Sequence, residues 1–439
     1  MINGEFLEIA ESAEFLAPLL GLIWEIIKKW YWLFLPFLLF KPFLFYWLWW
    51  RQEIWNDKQK SILLEIKIPK EILKPMRAME SVFSGLWQIH TPANWIEKWW
   101  DGQELLSYSF EVAAIDGIPH FFVRCPPESR KLIESHINSQ FPEAEIFEVE
   151  DYTQKVPQSI PDDNWDLWGT DYALKRDNAY PIKTYHDFET EREAKEEKRI
   201  DPMAALLEGM SRLKKGEQIW VQIRIKAILD DDFPWMKKGK EIVNKLVYRE
   251  TPKKKSFFGE MIEFMISGGA PAKEEKKTET LPPEMKLTPG EKEVVAGIEK
   301  KMGKLAYETF IRFIYLGEKK VFFKPNLRLP MSYFTNFVTD NLNAPIPCSP
   351  TITKVRRNWY DSFWFPQRRL YLKKRRTFRR FVTRLPYYFP QPGGTFVLNT
   401  EELATLYHFP SKVQTPASLL PRVEAKKGEA PLELPVEDN

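Results

Sequence analysis

The fold is decided by residues 61–152, read in five consecutive pieces. They are SILLEIKIPK (61–70), LKPMRAMESVFSGLWQIH (73–90), LLSYSFEVAAIDGIPHFFVRCP (105–126), ESRKLIESHINSQFP (128–142) and AEIFEVEDY (144–152). The first alternates apolar and polar residues, the pattern of a half-buried strand. The second places Met76, Met79, Val82, Phe83, Leu86 and Trp87 at helical spacing. The third is two strand-like runs around Asp116-Gly117, a dipeptide suited to the positive φ angles of a two-residue hairpin turn. An amphipathic helix and a last strand follow. The order β-α-β-β-α-β predicts a ferredoxin-like split motif, two helices against one face of an antiparallel sheet, over 61–155.

Working toward the C-terminus, a second unit is expected over 165–345. GTDYALKRDNAYPIKTY (169–185) is strand-like, 189–199 is charged, and a helix at 201–214 precedes the strong strand EQIWVQIRIKAIL (217–229). Residues 250–288 are rich in Lys, Glu, Pro and Thr, with KKK at 253–255 and APAKEEKKTETLPPE at 270–284. They read as a disordered insertion that contains one short amphipathic piece, SFFGEMIEFMIS (256–267). A helix at 289–302, the strand KLAYETFIRFIYL (304–316) and a helix near 329–343 resume the fold. The expected class is therefore α+β, with two ferredoxin-like or α+β sandwich units. Beyond them lie a basic and aromatic segment, 346–410, and a Pro, Lys and Glu rich tail, 411–439, expected to be disordered.

Working toward the N-terminus, the composition changes. The chain has 439 residues, 44% hydrophobic and 28% charged, so wholesale disorder is excluded. Aromatic residues are abundant, with 17 Trp and 31 Phe, and many lie in the first fifty positions. Residues 1–14 are acidic, and YWLFLPFLLFKPFLFYWLWW (31–50) carries one charge, Lys41. As a helix this run would extend roughly 30 Å, the thickness of a hydrocarbon core. Rings at both ends suit two membrane interfaces. A membrane anchor over 1–55 is expected, as one transmembrane helix preceded by an interfacial or re-entrant segment at 15–27, or as a hairpin with 15–27 as the second span. Arg51, Lys58, Lys60, Lys67, Lys70 and Lys74 follow the run. The positive-inside bias then places the anchor in the inner membrane, with the bulk of the chain facing the cytoplasm.

Net charge is only +3, so any nucleic-acid signal must be local. One such signal lies between Lys354 and Arg384, where twelve Lys or Arg accompany a single acid, Asp361. Its cations include Arg356, Arg357, Arg368, Arg369, Lys373, Lys374, Arg375, Arg376, Arg379, Arg380 and Arg384, interleaved with Trp359, Tyr360, Phe363, Trp364, Phe365, Tyr371, Phe378 and Phe381. Cations with aromatic faces suit phosphates and stacked bases, and equally an anionic lipid surface or an acidic partner. They also suit an ordinary segment whose rings pack and whose arginines are solvated.

Catalytic signatures are not found. There is no GxxxxGK[ST], no GxGxxG after a strand, and no GxSxG, HExxH or CxxC. Two cysteines, Cys125 and Cys348, and five histidines cannot supply a disulfide framework or a zinc-finger set. His120 and His136 read as packed or surface residues. A non-enzyme without a cofactor is expected.

As an ordered set, the apolar N-terminus, LLEIKIPKEILKPMRAMESVFSGL, FFVRCPPESRKLIESHINSQFPEAEIFEVEDY, EQIWVQIRI, the YETFIRFIYL…NLNAP block and LNTEELATLYHFP (398–410) resemble a known family. They are similar to the N-terminal, membrane-proximal part of type IV secretion and conjugative DNA-transfer ATPases, in the versions found in candidate-phylum bacteria. The resemblance implies a membrane anchor, an α+β docking region and a segment leading to a motor. Within that segment Glu401, Glu402, His408 and Pro410 would dock a partner. No motor with a phosphate-binding loop lies within the 439 residues, so no catalytic residue carries over. The implied partners are a separate motor ATPase, like subunits, or both, with DNA as cargo. Taken together, the sequence leads to a non-catalytic, membrane-anchored component of a DNA-transfer machine, or to an anchored nucleic-acid-binding protein using 354–384.

Overall fold

The computed structural model describes residues 2–69, 74–87, 93–188, 201–228, 234–247, 287–355, 365–386 and 395–410. The insertion expected at 250–288, including its amphipathic piece, lies almost wholly outside these residues, as do Arg356, Arg357, Trp359, Tyr360, Phe363, Trp364 and the tail. The chain divides into two compact units, residues 1–60 with 90–105, and residues 61–89 with 106–439.

The first unit is built on one helix, α1 (Ile2–Lys58). Its aromatic end packs on a π-helical turn at Glu97–Asp101. The Trp47 indole N–H donates to the Trp99 carbonyl at 2.8 Å, and the Trp47 and Trp100 rings lie 5.7 Å apart. Gly102 ends the turn at φ 74°, where a Cβ would meet the Arg51 carbonyl oxygen at 2.4 Å. The expected transmembrane span is corrected here. Among the described residues no helix is long and apolar enough to cross a membrane. The run is interrupted by Pro36, Lys41 and Pro42, and much of its aromatic content is Trp and Tyr. Those rings carry an N–H or O–H and favour polar boundaries over hydrocarbon. The hairpin alternative falls too, since α1 runs unbroken through residues 15–50.

The described residues of the second unit hold a nine-stranded sheet. Its first half comprises β1 (Ile62–Lys67), α2 (Arg77–Leu86), β2 (Ser107–Ile115), β3 (Ile118–Cys125), α3 (Arg130–Gln140) and β4 (Glu145–Val149). The strands lie in the order β4-β1-β3-β2, every pair antiparallel. The chain order read from 61–152 is the one observed. Asp116 (φ 53°) and Gly117 (φ 84°) form the hairpin turn, both in the left-handed region that such a turn requires.

The second half begins with β5 (Trp165–Leu174), α4 (Tyr185–Phe188), α5 (Pro202–Ser211), β6 (Glu217–Ala227) and α6 (Trp235–Leu246). It continues with α7 (Pro289–Met302), β7 (Ala306–Glu318), α8 (Arg328–Thr335) and β8 (Pro345–Pro347). Its strands lie in the order β8-β5-β7-β6, again antiparallel. Counted from each half's own first strand, both halves read 4-1-3-2. Their second strands, β2 and β6, pair from Ser107↔Lys226 to Ile115↔Gln218. The two stretches read as separate units thus share one sheet with an approximate two-fold arrangement of strands.

The described residues of 346–410 belong to the same unit. The Thr353 and Thr351 hydroxyls accept from the backbone N–H groups of Gly169 and Asp171 at 2.9 and 3.0 Å. Next come α9 (Pro366–Thr383), β9 (Phe396–Asn399) and α10 (Thr400–Leu406). β9 pairs with β7 over Ala306–Thr309, beside the stretch of β7 that pairs with β5.

Because side chains alternate along a strand, the sheet has two distinct faces. One packs on helices: Phe83 of α2 meets Phe110 at 4.9 Å, and Phe334 of α8 meets Tyr172 at 4.1 Å. The other face carries Leu63, Phe122, Trp220, Ile314 and Leu316, covered by Phe378 and Phe381 of α9 and by Tyr152.

Candidate functional site

α9 starts with Pro366, whose missing N–H costs nothing at the first helical position. Phe378 and Phe381, three residues apart and buried, lie on the sheet, with the Phe381 ring 5.3 Å from Trp220. Burying such rings contributes about 1.5–3 kcal/mol each. This apolar stripe fixes which way the cations face. Arg368, Arg369, Arg375, Arg376 and Arg379 are exposed, and Lys373, Lys374 and Arg380 are half-buried.

The structure sorts these basic residues by employment. Lys374 is 2.5 Å from Asp166 of β5, and the Arg380 guanidinium donates to the Pro386 carbonyl at 2.5 Å. Among the described residues, Arg375 reaches the Tyr371 hydroxyl at 3.4 Å. Arg384 lies inside. Held at φ 54° just past the helix, it donates to Glu111 at 3.0 and 3.2 Å and forks onto Asp151. Glu111 also accepts from Ser109 and Tyr152, both at 2.7 Å, and from Gln222 at 3.1 Å. Burial would push the Glu111 carboxyl up, but Arg384 and these donors outweigh it and hold it below the usual range. The same balance raises Arg384, whose own burial is outweighed by the carboxylates. Arg384 is therefore a structural cation.

Sequence reading missed the polar floor beside it. The register Glu65–Phe122–Glu111–Gln222–Arg312–Asp171 runs across β1, β3, β2, β6, β7 and β5. Arg312 donates to Asp171 at 2.5 and 3.3 Å, while its buried Nη1 has no hydrogen-bond partner among the described residues. One row further along, Arg124, Ser109 and Arg224 lie side by side. Arg224 is only 9% exposed, and its charge, with that of Lys226, helps hold the Glu308 carboxyl below the usual range against burial. Burial, and repulsion from Arg384 and Arg224, push the Arg124 guanidinium down despite the neighbouring carboxylates. The signal available in sequence was the alternation of Gln222, Arg224 and Lys226 along β6. It reads as a solvent-facing edge until a second sheet half is paired beside it.

The expected docking residues lie elsewhere, in the interior. Asn399 caps α10 reciprocally with Glu402, as the order Asn-x-x-Glu permits. Glu402 also receives Lys301 at 3.1 Å and the Ile182 N–H at 2.8 Å. Here burial is not outweighed: it raises the Glu402 carboxyl and lowers the Lys301 ammonium. Glu401 pairs with Lys300 and Lys304 at 3.1 and 2.7 Å. His408 lies 2.9 Å from Asp201, and Pro410 is buried. Each of the four packs within this chain.

Among the described residues no group of three or more His, Cys, Asp or Glu could hold a metal ion. Cys125 and Cys348 are buried free thiols, and burial pushes Cys125 up to about 12.

Residues 52–418 match the family model described as Domain of unknown function (DUF8128), and the chain belongs to that family. No curated protein matches it.

Proposed function

We propose that this member of the DUF8128 family is a non-catalytic platform of a type IV secretion-like DNA-transfer machine that holds nucleic-acid phosphates on the outer side of α9. One observation carries the reading: α9 is fastened to the sheet by Phe378 and Phe381 and turns Arg368, Arg375 and Arg379 to solvent. A helix anchored by one stripe presents its cations on a backbone already ordered, so less backbone entropy is lost on binding. Tyr371, exposed on the same helix, adds a ring on which a base can stack. The wider sheet supplies a rigid base, and the assignment to a transfer machine follows the sequence resemblance.

The test is fluorescence anisotropy of labelled single- and double-stranded DNA, with salt varied between about 50 and 200 mM. Three phosphate contacts correspond to a roughly 40-fold loss of affinity across that range. Changing Arg368, Arg375 and Arg379 together to Ala should remove most of that dependence. Equal retention by wild type and the triple variant would remove the proposal. The machine assignment is tested separately, by whether a phosphate-loop ATPase co-purifies at fixed stoichiometry.

A further inference from the structure

On the helix-covered face, α2 carries a polar stripe that the functional reading leaves unused. Arg77, Glu80, Ser81 and Ser84 lie three, one and three residues apart, and so share one side of the helix. Opposite them stand Tyr185 and His186 of α4, with Lys304 just ahead of β7. Together they line a pocket of about 490 Å³, within the range of small-molecule sites (roughly 300–1,000 Å³).

The acceptors of this pocket are already occupied. Glu80 receives the Tyr185 hydroxyl and the Lys304 ammonium, both at 2.5 Å, and the Thr400 hydroxyl at 3.4 Å. Lys304 also reaches Glu401 at 2.7 Å, and Glu401 has Lys300 at 3.1 Å. Burial works against the charge on Lys304, but Glu401 and Glu80 outweigh it and raise the ammonium. Burial, and donation to Glu80, raise the Tyr185 phenol and keep it a donor. The two carboxylates are thus neutralised by two lysines. The donors are not matched: Arg77, Ser81 and Ser84 make no side-chain hydrogen bond or ion pair among the described residues. The His186 imidazole stands beside them, 3.7 Å from Glu401. A guanidinium and two hydroxyls lining an open pocket whose acceptors are filled match an oxyanion, and the guanidinium fork suits phosphate oxygens. The volume leaves room for an organic body as well.

We infer that this pocket binds a small molecule bearing a phosphate monoester, with Arg77, Ser81 and Ser84 on the phosphate. The site is independent of α9. Isothermal titration calorimetry on the full chain, with ribose 5-phosphate, inorganic phosphate and acetate as separate probes, tests it. Sub-millimolar binding of ribose 5-phosphate is expected, weaker binding of inorganic phosphate, and none of acetate. Arg77→Ala should weaken ribose 5-phosphate at least tenfold and Ser84→Ala by a smaller factor, while the triple Arg368, Arg375, Arg379 variant binds as wild type. Arg77 is exposed and near the start of its helix, so its loss leaves the fold intact. Absence of binding by ribose 5-phosphate, equal binding of acetate, or an Arg77→Ala protein with unchanged affinity would each overturn the inference.

Discussion

The two halves of the sheet repeat one strand order but connect and neutralise it differently. In the first half, the second and third strands are joined by the two-residue turn Asp116-Gly117. In the second half the same junction, between β6 and β7, carries residues 228–305, with α6 and α7 among them. The halves also handle their buried carboxylates differently. Glu111 is met by Arg384, a residue from beyond α9, together with Ser109, Tyr152 and Gln222. Asp171 is met by Arg312 from the adjacent strand, leaving one guanidinium nitrogen buried without a hydrogen-bond partner among the described residues. The C-terminal end of α9 is thus tied to the first half by charge, through Arg384, while its rings on Trp220 and the Lys374–Asp166 pair hold it to the second. The basic helix is therefore a fixed part of the platform.

The largest expected effect breaks that lock. Arg384→Met leaves Glu111 and Asp151 buried or half-buried without their cation, and should cost about 3–5 kcal/mol in chemical denaturation. Arg312→Met strands one carboxylate and also removes an unsatisfied nitrogen, so its cost should be the smaller of the two. A reversed ranking would contradict the proposed difference between the halves.

Acid titration sharpens the same contrast. Glu111 and Asp151 are both held below the ordinary carboxylate range, each by Arg384 and its hydrogen bonds against the opposing effect of burial. A depressed folded pKa contributes stability that is present above the unfolded carboxylate value, about 4, and is lost as pH falls through the folded one. Glu402, which burial raises, has the opposite sign and cushions the loss. The wild-type protein should lose stability on acidification below about pH 4. Arg384→Met should lose less over the same interval. Identical profiles for the two would assign the acid sensitivity to other groups.

Two smaller effects probe the junctions. At Gly117, with φ 84°, a Cβ would meet the Leu213 carbonyl oxygen at 2.7 Å. Gly117→Ala should cost about 1–2 kcal/mol, from the left-handed backbone and that clash. In the second half's longer junction, Thr288 caps α7 in a reciprocal box with Glu291. Thr288→Ala should cost about 1 kcal/mol. Thermal denaturation of both variants gives the order directly.

How much was legible in sequence follows the same division. The first half could be read whole because its elements are consecutive, its turn is two residues long and Asp116-Gly117 marks it. The second half was legible in its strands EQIWVQIRI and YETFIRFIYL, but its pairing was not, since β6 and β7 are separated by the long junction. Nothing local announces that β2 and β6 pair, because that edge-to-edge contact joins chain segments about a hundred residues apart. The aromatic run of α1 misled for a chemical reason: Trp47 makes a polar contact with the Trp99 carbonyl, and counting rings as hydrocarbon overstates their apolarity. The basic helix was visible as a charge cluster, and its orientation came from Phe378 and Phe381. Arg384 could not be separated from its neighbours by composition, since its role depends on Glu111 and Asp151, more than two hundred residues away. The α2 pocket was invisible for a similar reason, because Arg77, His186 and Lys304 converge only after folding.

The most direct test of the central claim is photocrosslinking of the full chain to a bromodeoxyuridine-containing oligonucleotide, with the attachment points mapped by mass spectrometry. The account predicts crosslinks within 366–383, centred on Tyr371, that fade as salt is raised and vanish in the triple Arg368, Arg375, Arg379 variant. Crosslinks confined to α2, α3, α5 or α8, on the opposite face of the sheet, would contradict it.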